Sequence, residues 1–261
     1  MENGWKEELA KRYDLLAEEY DEKFHSDLEA KTRNQVIFST LQKFITKKPS
    51  KILDAGGGTG FYSIPFAAQG HEITILDISE KMLEKARRNA EKSNVQKRVK
   101  TVQGSMDHLN FPGSYFDVVL CHLAFEYVSK PSKTLHEFYR VLKKDGLLSL
   151  TVVNKYSYII TEILKGDFSE AERILQVKNF FVSPRKVLPR IRTFTKNEIV
   201  NLCRDANFSI QCVKGIRVMF DYLPKNWQKA ELLERLEMKL SEIEDLSSLA
   251  RHIYVVCKKA L

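Results

Sequence analysis

The sequence predicts an α/β fold: a mostly parallel seven-stranded sheet with helices on both faces and a small helical and basic insertion over one edge. Three observations carry that prediction. Short apolar runs alternate with amphipathic stretches of helical length between residues 51 and 153, the rhythm of right-handed strand–helix–strand units. The run Phe116-Asp117-Val118-Val119-Leu120-Cys121 is almost wholly apolar, as a strand covered on both faces must be. The first run also empties directly into Gly56, Gly57, Gly58 and Gly60, residues that let a strand turn tightly into a helix around a ligand.

Taken in order, residues 5–22 and 29–46 read as amphipathic helices, with Leu9, Tyr13, Leu16 and Tyr20 at helical spacing on the first. Pro49 ends the second, and strand 51–54 follows. Helix 61–69 and strand 71–77 come next. Ser79 caps helix 80–93, whose Met82, Leu83 and Ala86 share one face. Strand 99–103 leads into Gly104, strand 116–121 into His122, and helix 131–143 into strand 147–153. The rhythm then breaks. Residues 155–192 mix helix with basic loop and show no strand pattern. They are expected over the carboxyl ends of the strands, where open α/β sheets bind ligands. Helix 195–206, strand 208–218, helix 225–246 and strand 250–257 restore the alternation. Helix 225–246 offers Trp227, Leu232, Leu233, Leu236 and Leu240 for core packing, with a dimer interface as the alternative. The expected organisation is therefore 1–48 as N-terminal helices capping the ligand, 49–154 as the binding core, 155–192 as the insertion, and 193–261 as the C-terminal half of the sheet.

Composition excludes several classes. With 261 residues, 43% of them hydrophobic, the chain can bury a core and is not a disordered polymer. Met1 to Lys11 lacks an apolar signal-peptide region, and no stretch approaches the length of a membrane span; a cytoplasmic protein is expected. Cys121, Cys203, Cys212 and Cys257 are scattered without metal-ligand spacing, so free thiols are expected and no metal site. The net charge of +8 favours polyanionic partners.

The segment Asp54-Ala55-Gly56-Gly57-Gly58-Thr59-Gly60 departs from a dinucleotide fingerprint, because Phe61 stands where that pattern needs its third glycine. An acid, Asp54, enters the loop just ahead of the glycines instead. Asp77 ends the second strand, where a carboxylate can accept both hydroxyls of a ribose. Asp107 follows the third strand and His122 the fourth. Acids and glycines at the ends of successive strands form one spatial set.

The loop, with Asp-x-Gly-x-Gly-x-Gly spacing, resembles the first motif of class I S-adenosylmethionine-dependent methyltransferases, whose fold is Rossmann-like, and Leu135 to Leu150 resembles the approach to their fifth strand. Ala124-Phe125-Glu126-Tyr127-Val128, Lys165-Gly166-Asp167-Phe168, Gly215 to Leu223 and Arg251 to Val255 extend the likeness to tRNA 5-carboxymethoxyuridine methyltransferases. That resemblance implies S-adenosylmethionine as cofactor and the carboxylate of a modified wobble uridine, in a tRNA anticodon loop, as acceptor. It places Arg33, Asp54, Gly56, Gly57, Gly58, Asp77, Met106, Asp107 and His122 at the cofactor, with Asp107 receiving the adenine amino group. The basic run Ser183-Pro184-Arg185-Lys186 is shorter than the lysine-rich run of that family.

A carboxylate acceptor needs orientation rather than a base, and an arginine fork supplies it. Among Arg190, Arg192, Arg217 and Arg251, Arg192 and Arg217 are the expected acceptor-orienting residues. Arg185, Lys186, Arg190 and Arg192, beside Phe180, Phe181 and Phe194, suit phosphate contacts and base stacking. The competing reading is a small-molecule methyltransferase acting on a quinone, sterol or organic acid, with Trp5, Tyr13, Tyr20, Phe125 and Phe220 lining an apolar pocket. Monomer and homodimer both remain open.

Overall fold

A computed structural model describes residues 4–46, 49–183, 190–223 and 230–260. Its centre is a seven-stranded sheet built from β1 (Lys51–Ala55), β2 (Glu72–Asp77), β3 (Val99–Gln103), β4 (Phe116–His122), β5 (Leu142–Val153), β8 (Phe208–Ile216) and β9 (His252–Lys259). The strand order is β3-β2-β1-β4-β5-β9-β8. Five strands run parallel from β3 to β5, and β9 enters antiparallel to both β5 and β8. The sheet is therefore mostly parallel, and the helix–strand alternation expected after residue 193 holds, with β9 alone reversed in direction.

Helices cover both faces. Against one lie α3 (Leu28–Phe44), α4 (Ile64–Ala68), α5 (Glu80–Lys92) and α10 (Ala230–Ser241), around Val36, Ile37, Phe66, Leu83 and Tyr254. Against the other lie α6 (Pro131–Val141) and α9 (Lys196–Asp205), around Phe125, Leu135, Phe138, Phe194 and Ile199. Local signals explain the helix starts. Asp27, Ser79 and Thr195 accept from backbone N–H groups in the first turns of α3, α5 and α9, the expected role of short polar caps.

Four expectations change. The helix expected over 5–22 is two, α1 (Gly4–Leu16) and α2 (Tyr20–His25), separated by a turn in which Glu19 N–H reaches the Leu16 carbonyl at 3.1 Å. The insertion contains α7 (Lys155–Lys165), α8 (Phe168–Gln176) and a short antiparallel pair, β6 (Phe181–Val182) with β7 (Ile191–Arg192). Two-residue strands carry too little periodicity to read in advance. Of helix 225–246, α10 spans Ala230–Ser241; Trp227 lies outside the described residues, as do Arg185 and Lys186. On α10, Leu232 and Leu236 are about half exposed while Leu233 and Glu237 are buried, so the inward face includes a carboxylate. Last, Phe180 and Phe194 are buried, with Phe194 beside Phe125 in the core; of the three aromatics expected to stack bases only Phe181 is exposed.

Among the described residues, no helix is long and apolar enough to cross a membrane.

Candidate active site

The carboxyl ends of β1 to β4 border a cavity open to solvent, of roughly 670 Å3 with that open space included. Helix α1 forms its other wall, contributing Trp5, Lys6, Leu9 and Tyr13. Of the residues expected at the cofactor, Gly56, Gly58, Asp77, Met106, Asp107 and His122 line this cavity, whereas Arg33, Asp54 and Gly57 do not. Tyr20 and Tyr127 line it as well, while Phe125 and Phe220 are packed in the interior.

The glycine loop divides into two working halves. Gly56 has φ +73°, and a Cβ there would fall 2.5 Å from Ala124 Cβ and 2.8 Å from Met106 Cε. Gly58 donates its N–H to Asp77 Oδ2 at 2.9 Å, so the loop is tied to the end of β2. Gly57 serves the fold behind the cavity: a Cβ there would fall 2.5 Å from Asp54 Cγ. Asp54 is buried, which pushes its carboxyl up to about 7. Asp77 also accepts from Ser79 N–H at 2.9 Å, and burial raises it to about 6. Backbone N–H groups of Gly58, Ser79 and Ile78 stabilise its charge, and the carboxylate retains acceptor capacity beyond them.

Asp107 is held on both oxygens. Thr134 Oγ1 donates to Oδ1 at 2.9 Å, and the Lys6 ammonium lies 2.7 Å from Oδ2. His122 has Thr151 Oγ1 at 3.0 Å from Nδ1 and Ser149 Oγ at 3.2 Å from Nε2, and Ser149 continues to Tyr254 OH at 2.9 Å. Burial lowers His122 to about 3, with Arg33 adding to the effect, so its ring is neutral. Leu123, next along the cavity wall, has φ +56°, a strained conformation of the kind that collects at ligand sites.

Arg33 sits behind this wall. Its guanidinium donates to Phe24 O at 2.7 Å and Tyr62 OH at 3.1 Å, and meets His25 Nδ1 at 3.3 Å. The Tyr62 ring packs against His122, with centroids 4.9 Å apart. Arg33 is a buried cation whose partners here are neutral. Burial, aided by Arg33, holds His25 down to about 3.

The two acceptor candidates lie outside the cavity lining. Arg217 has φ +60°, is tied to Asp221 Oδ1 at 2.5 Å, and keeps a buried Nε without a partner. Asp221 Oδ2 and His252 Nδ1 are buried and unpartnered too. Arg192 pairs with Glu198, lies over the Phe194 ring at 4.8 Å, and likewise has an unpartnered Nε. Arg251 stacks on Tyr158 at 4.1 Å and donates to its hydroxyl at 2.7 Å.

Sequence reasoning missed Lys6 and Tyr127. Tyr127 carried a signal, since it lies in the Ala124–Val128 segment already singled out. Lys6 carried none, because its partner Ser105 is 99 residues away.

Residues 53–150 match the family described as a methyltransferase domain, and the strand order and the cavity at the carboxyl edge fit that match. The chain carries a methyltransferase domain over these residues, and solved structures that share its fold are described as S-adenosylmethionine-dependent. The tRNA 5-carboxymethoxyuridine methyltransferase of Escherichia coli O157:H7 is 26% identical over 95% of this methyltransferase and 96% of its own length. A ubiquinone/menaquinone biosynthesis C-methyltransferase of Ruegeria is 26% identical over 66% of this chain and 73% of its own. The fold is shared with a Haloferax volcanii methyltransferase solved with the Trm112 activator, at TM-score 0.64, 17% identity and coverage of 95% of this chain and 98% of that one.

Proposed function

We propose that this enzyme transfers the methyl group of S-adenosylmethionine to the carboxylate of 5-carboxymethoxyuridine in tRNA. The observation that carries this reading is the end-to-end similarity to the E. coli tRNA enzyme, which extends over the insertion and the last two strands. Quinone C-methyltransferases match less of the chain, 66% for that of Ruegeria and 87% for that of Cereibacter sphaeroides, against 95% for the tRNA enzyme.

The residues at the cavity suit the cofactor by their chemistry. Asp77 is a carboxylate acceptor at the place where ribose hydroxyls would donate. Asp107 is an acceptor for an exocyclic amino group. Arg33, a buried cation among neutral partners, suits the carboxylate of the methionine part, and Gly56 leaves the approach that a Cβ would fill. Asp54, Gly57, Gly58, Met106 and His122 shape and hold that surface. When bound, S-adenosylmethionine supplies a methyl group on a positively charged sulfur, open to in-line attack by an oxygen.

An acceptor carboxylate is ionised at neutral pH and needs no base. A neutral His122 with both nitrogens occupied is consistent with a site that positions rather than deprotonates. Arg217 and Arg192 orient the acceptor carboxylate or its neighbouring phosphate, each with a buried Nε–H still to satisfy, an unfavourable state that an anionic partner relieves.

The test is methylation in vitro of tRNA carrying 5-carboxymethoxyuridine, read by mass spectrometry of nucleosides. Formation of the methyl ester, with no reaction on tRNA lacking the carboxylate, is the expected result. Arg217→Ala should lower turnover on that tRNA about tenfold or more while affinity for S-adenosylhomocysteine stays near wild type. No ester on modified tRNA, with turnover on a quinone precursor, would move the assignment to a small-molecule acceptor.

A further inference from the structure

Lys6 and Asp107 both line the cavity, and their charged ends lie 2.7 Å apart. Lys6 also donates to Ser105 Oγ at 3.0 Å, which fixes the ammonium on the loop after β3. Asp107 Oδ1 accepts from Thr134, and Oδ2 meets the Lys6 ammonium and, at 3.4 Å, Ser105 Oγ; a ligand that engages the ammonium releases Oδ2, the oxygen beside Lys6, as its acceptor. The cavity therefore presents a cationic donor and an anionic acceptor side by side.

That pair has a chemical complement. On the Watson–Crick edge of adenine, the exocyclic amino group donates and the adjacent ring nitrogen N1 accepts. Hypoxanthine inverts the pattern, with a carbonyl oxygen that accepts and an N1–H that donates. We infer that Lys6 is a base-reading residue of the cofactor site, donating to N1 while Asp107 Oδ2 accepts from the amino group. The inference rests on the S-adenosylmethionine reading above. It gives α1 a direct part in recognising the cofactor.

Lys6 is separable from the anchoring of α1. Asp14 accepts from Ser79 Oγ at 2.6 Å, and Tyr13 OH donates to Tyr127 OH at 2.9 Å. These contacts hold the helix against α5 and the loop after β4 without the ammonium. A Lys6 that served only to fasten α1 would weaken binding equally for any base. One that merely neutralised Asp107 would, when removed, free the carboxylate and tighten binding.

Isothermal titration of the full chain separates these cases. The ligands are S-adenosylhomocysteine, its 1-deaza analogue, which lacks the N1 acceptor, and S-inosylhomocysteine. Lys6→Met keeps the aliphatic stem and removes the donor; Lys6→Arg keeps a donor. Thermal melting and circular dichroism check that both variants fold. Loss of one charge-assisted bond weakens S-adenosylhomocysteine about tenfold in Lys6→Met, with Lys6→Arg closer to wild type. The 1-deaza analogue should bind wild type about tenfold more weakly and bind Lys6→Met with no further loss, the non-additivity of a direct contact. Wild type should also prefer adenine to hypoxanthine by a larger ratio than Lys6→Met does. The inference is overturned if Lys6→Met binds S-adenosylhomocysteine within twofold of wild type or more tightly, or if it loses the same factor with the 1-deaza analogue. Failure of wild type to bind S-adenosylhomocysteine at all removes the cofactor reading together with this inference.

Discussion

Gly56 and Gly57 are neighbours with different duties. At Gly56 the left-handed backbone and the near contact with Ala124 Cβ oppose any side chain. Gly56→Ala should cost about 2–3 kcal/mol of stability, from the positive φ plus overpacking against a short, unyielding neighbour. It should also weaken S-adenosylhomocysteine binding more than tenfold, since it fills the cavity wall. Thermal melting and titration calorimetry read the two effects. Asp77 makes a pH prediction. Its carboxyl in the free protein titrates near 6 because burial disfavours the charge. Ribose hydroxyls need the ionised form as acceptor, so binding must expel the proton below that pH. Affinity for S-adenosylhomocysteine should fall about tenfold from pH 7 to pH 5, and Asp77→Asn should bind more weakly with a flatter profile. An unchanged affinity across that range would show that Asp77 does not meet the ribose as a carboxylate.

Among the elements, α10 shows how one side chain organises a distant turn. Glu237 accepts from the backbone N–H groups of Val218, Met219 and Phe220 at 2.7, 2.6 and 2.8 Å. It thereby fixes the chain leaving β8, where Arg217 and Asp221 sit. Burial raises its carboxyl pKa, and these three bonds offset that only in part. Glu237→Ala leaves three donors unsatisfied and should cost about 3–5 kcal/mol in urea unfolding. Glu237→Gln, which keeps one acceptor oxygen, should cost clearly less. Helix α1 is the other element set by remote contacts: Lys6, Asp14 and Tyr13 meet the loops after β3, β2 and β4 respectively.

For the whole molecule, the +8 charge bears on the partner. If tRNA is the substrate, counterion release should dominate its binding. About six phosphate contacts would lower the association constant roughly a thousandfold between 50 and 200 mM salt. A filter-binding series in salt measures the slope directly. A neutral small acceptor would give none.

The sequence alone determined the central strands and the binding loop. Strand 99–103 was read to the residue, and 51–54, 71–77 and 116–121 to within one; the central strands β1 and β4 are legible as nearly unbroken apolar runs buried on both faces, while the half-exposed edge strand β3 is bounded by Gly104. Glycines followed by acids at strand ends marked the cavity, since only residues without a Cβ permit that turn. The tertiary structure decided what has no local trace. The antiparallel entry of β9 depends on where α10 delivers the chain, not on the strand's own pattern. The break between α1 and α2, the neutral surroundings of Arg33 and the pairing of Lys6 with Asp107 all depend on groups far apart in sequence. Such groups meet only when the sheet has brought the strand ends together, and periodicity, which reports one element at a time, holds no record of that meeting.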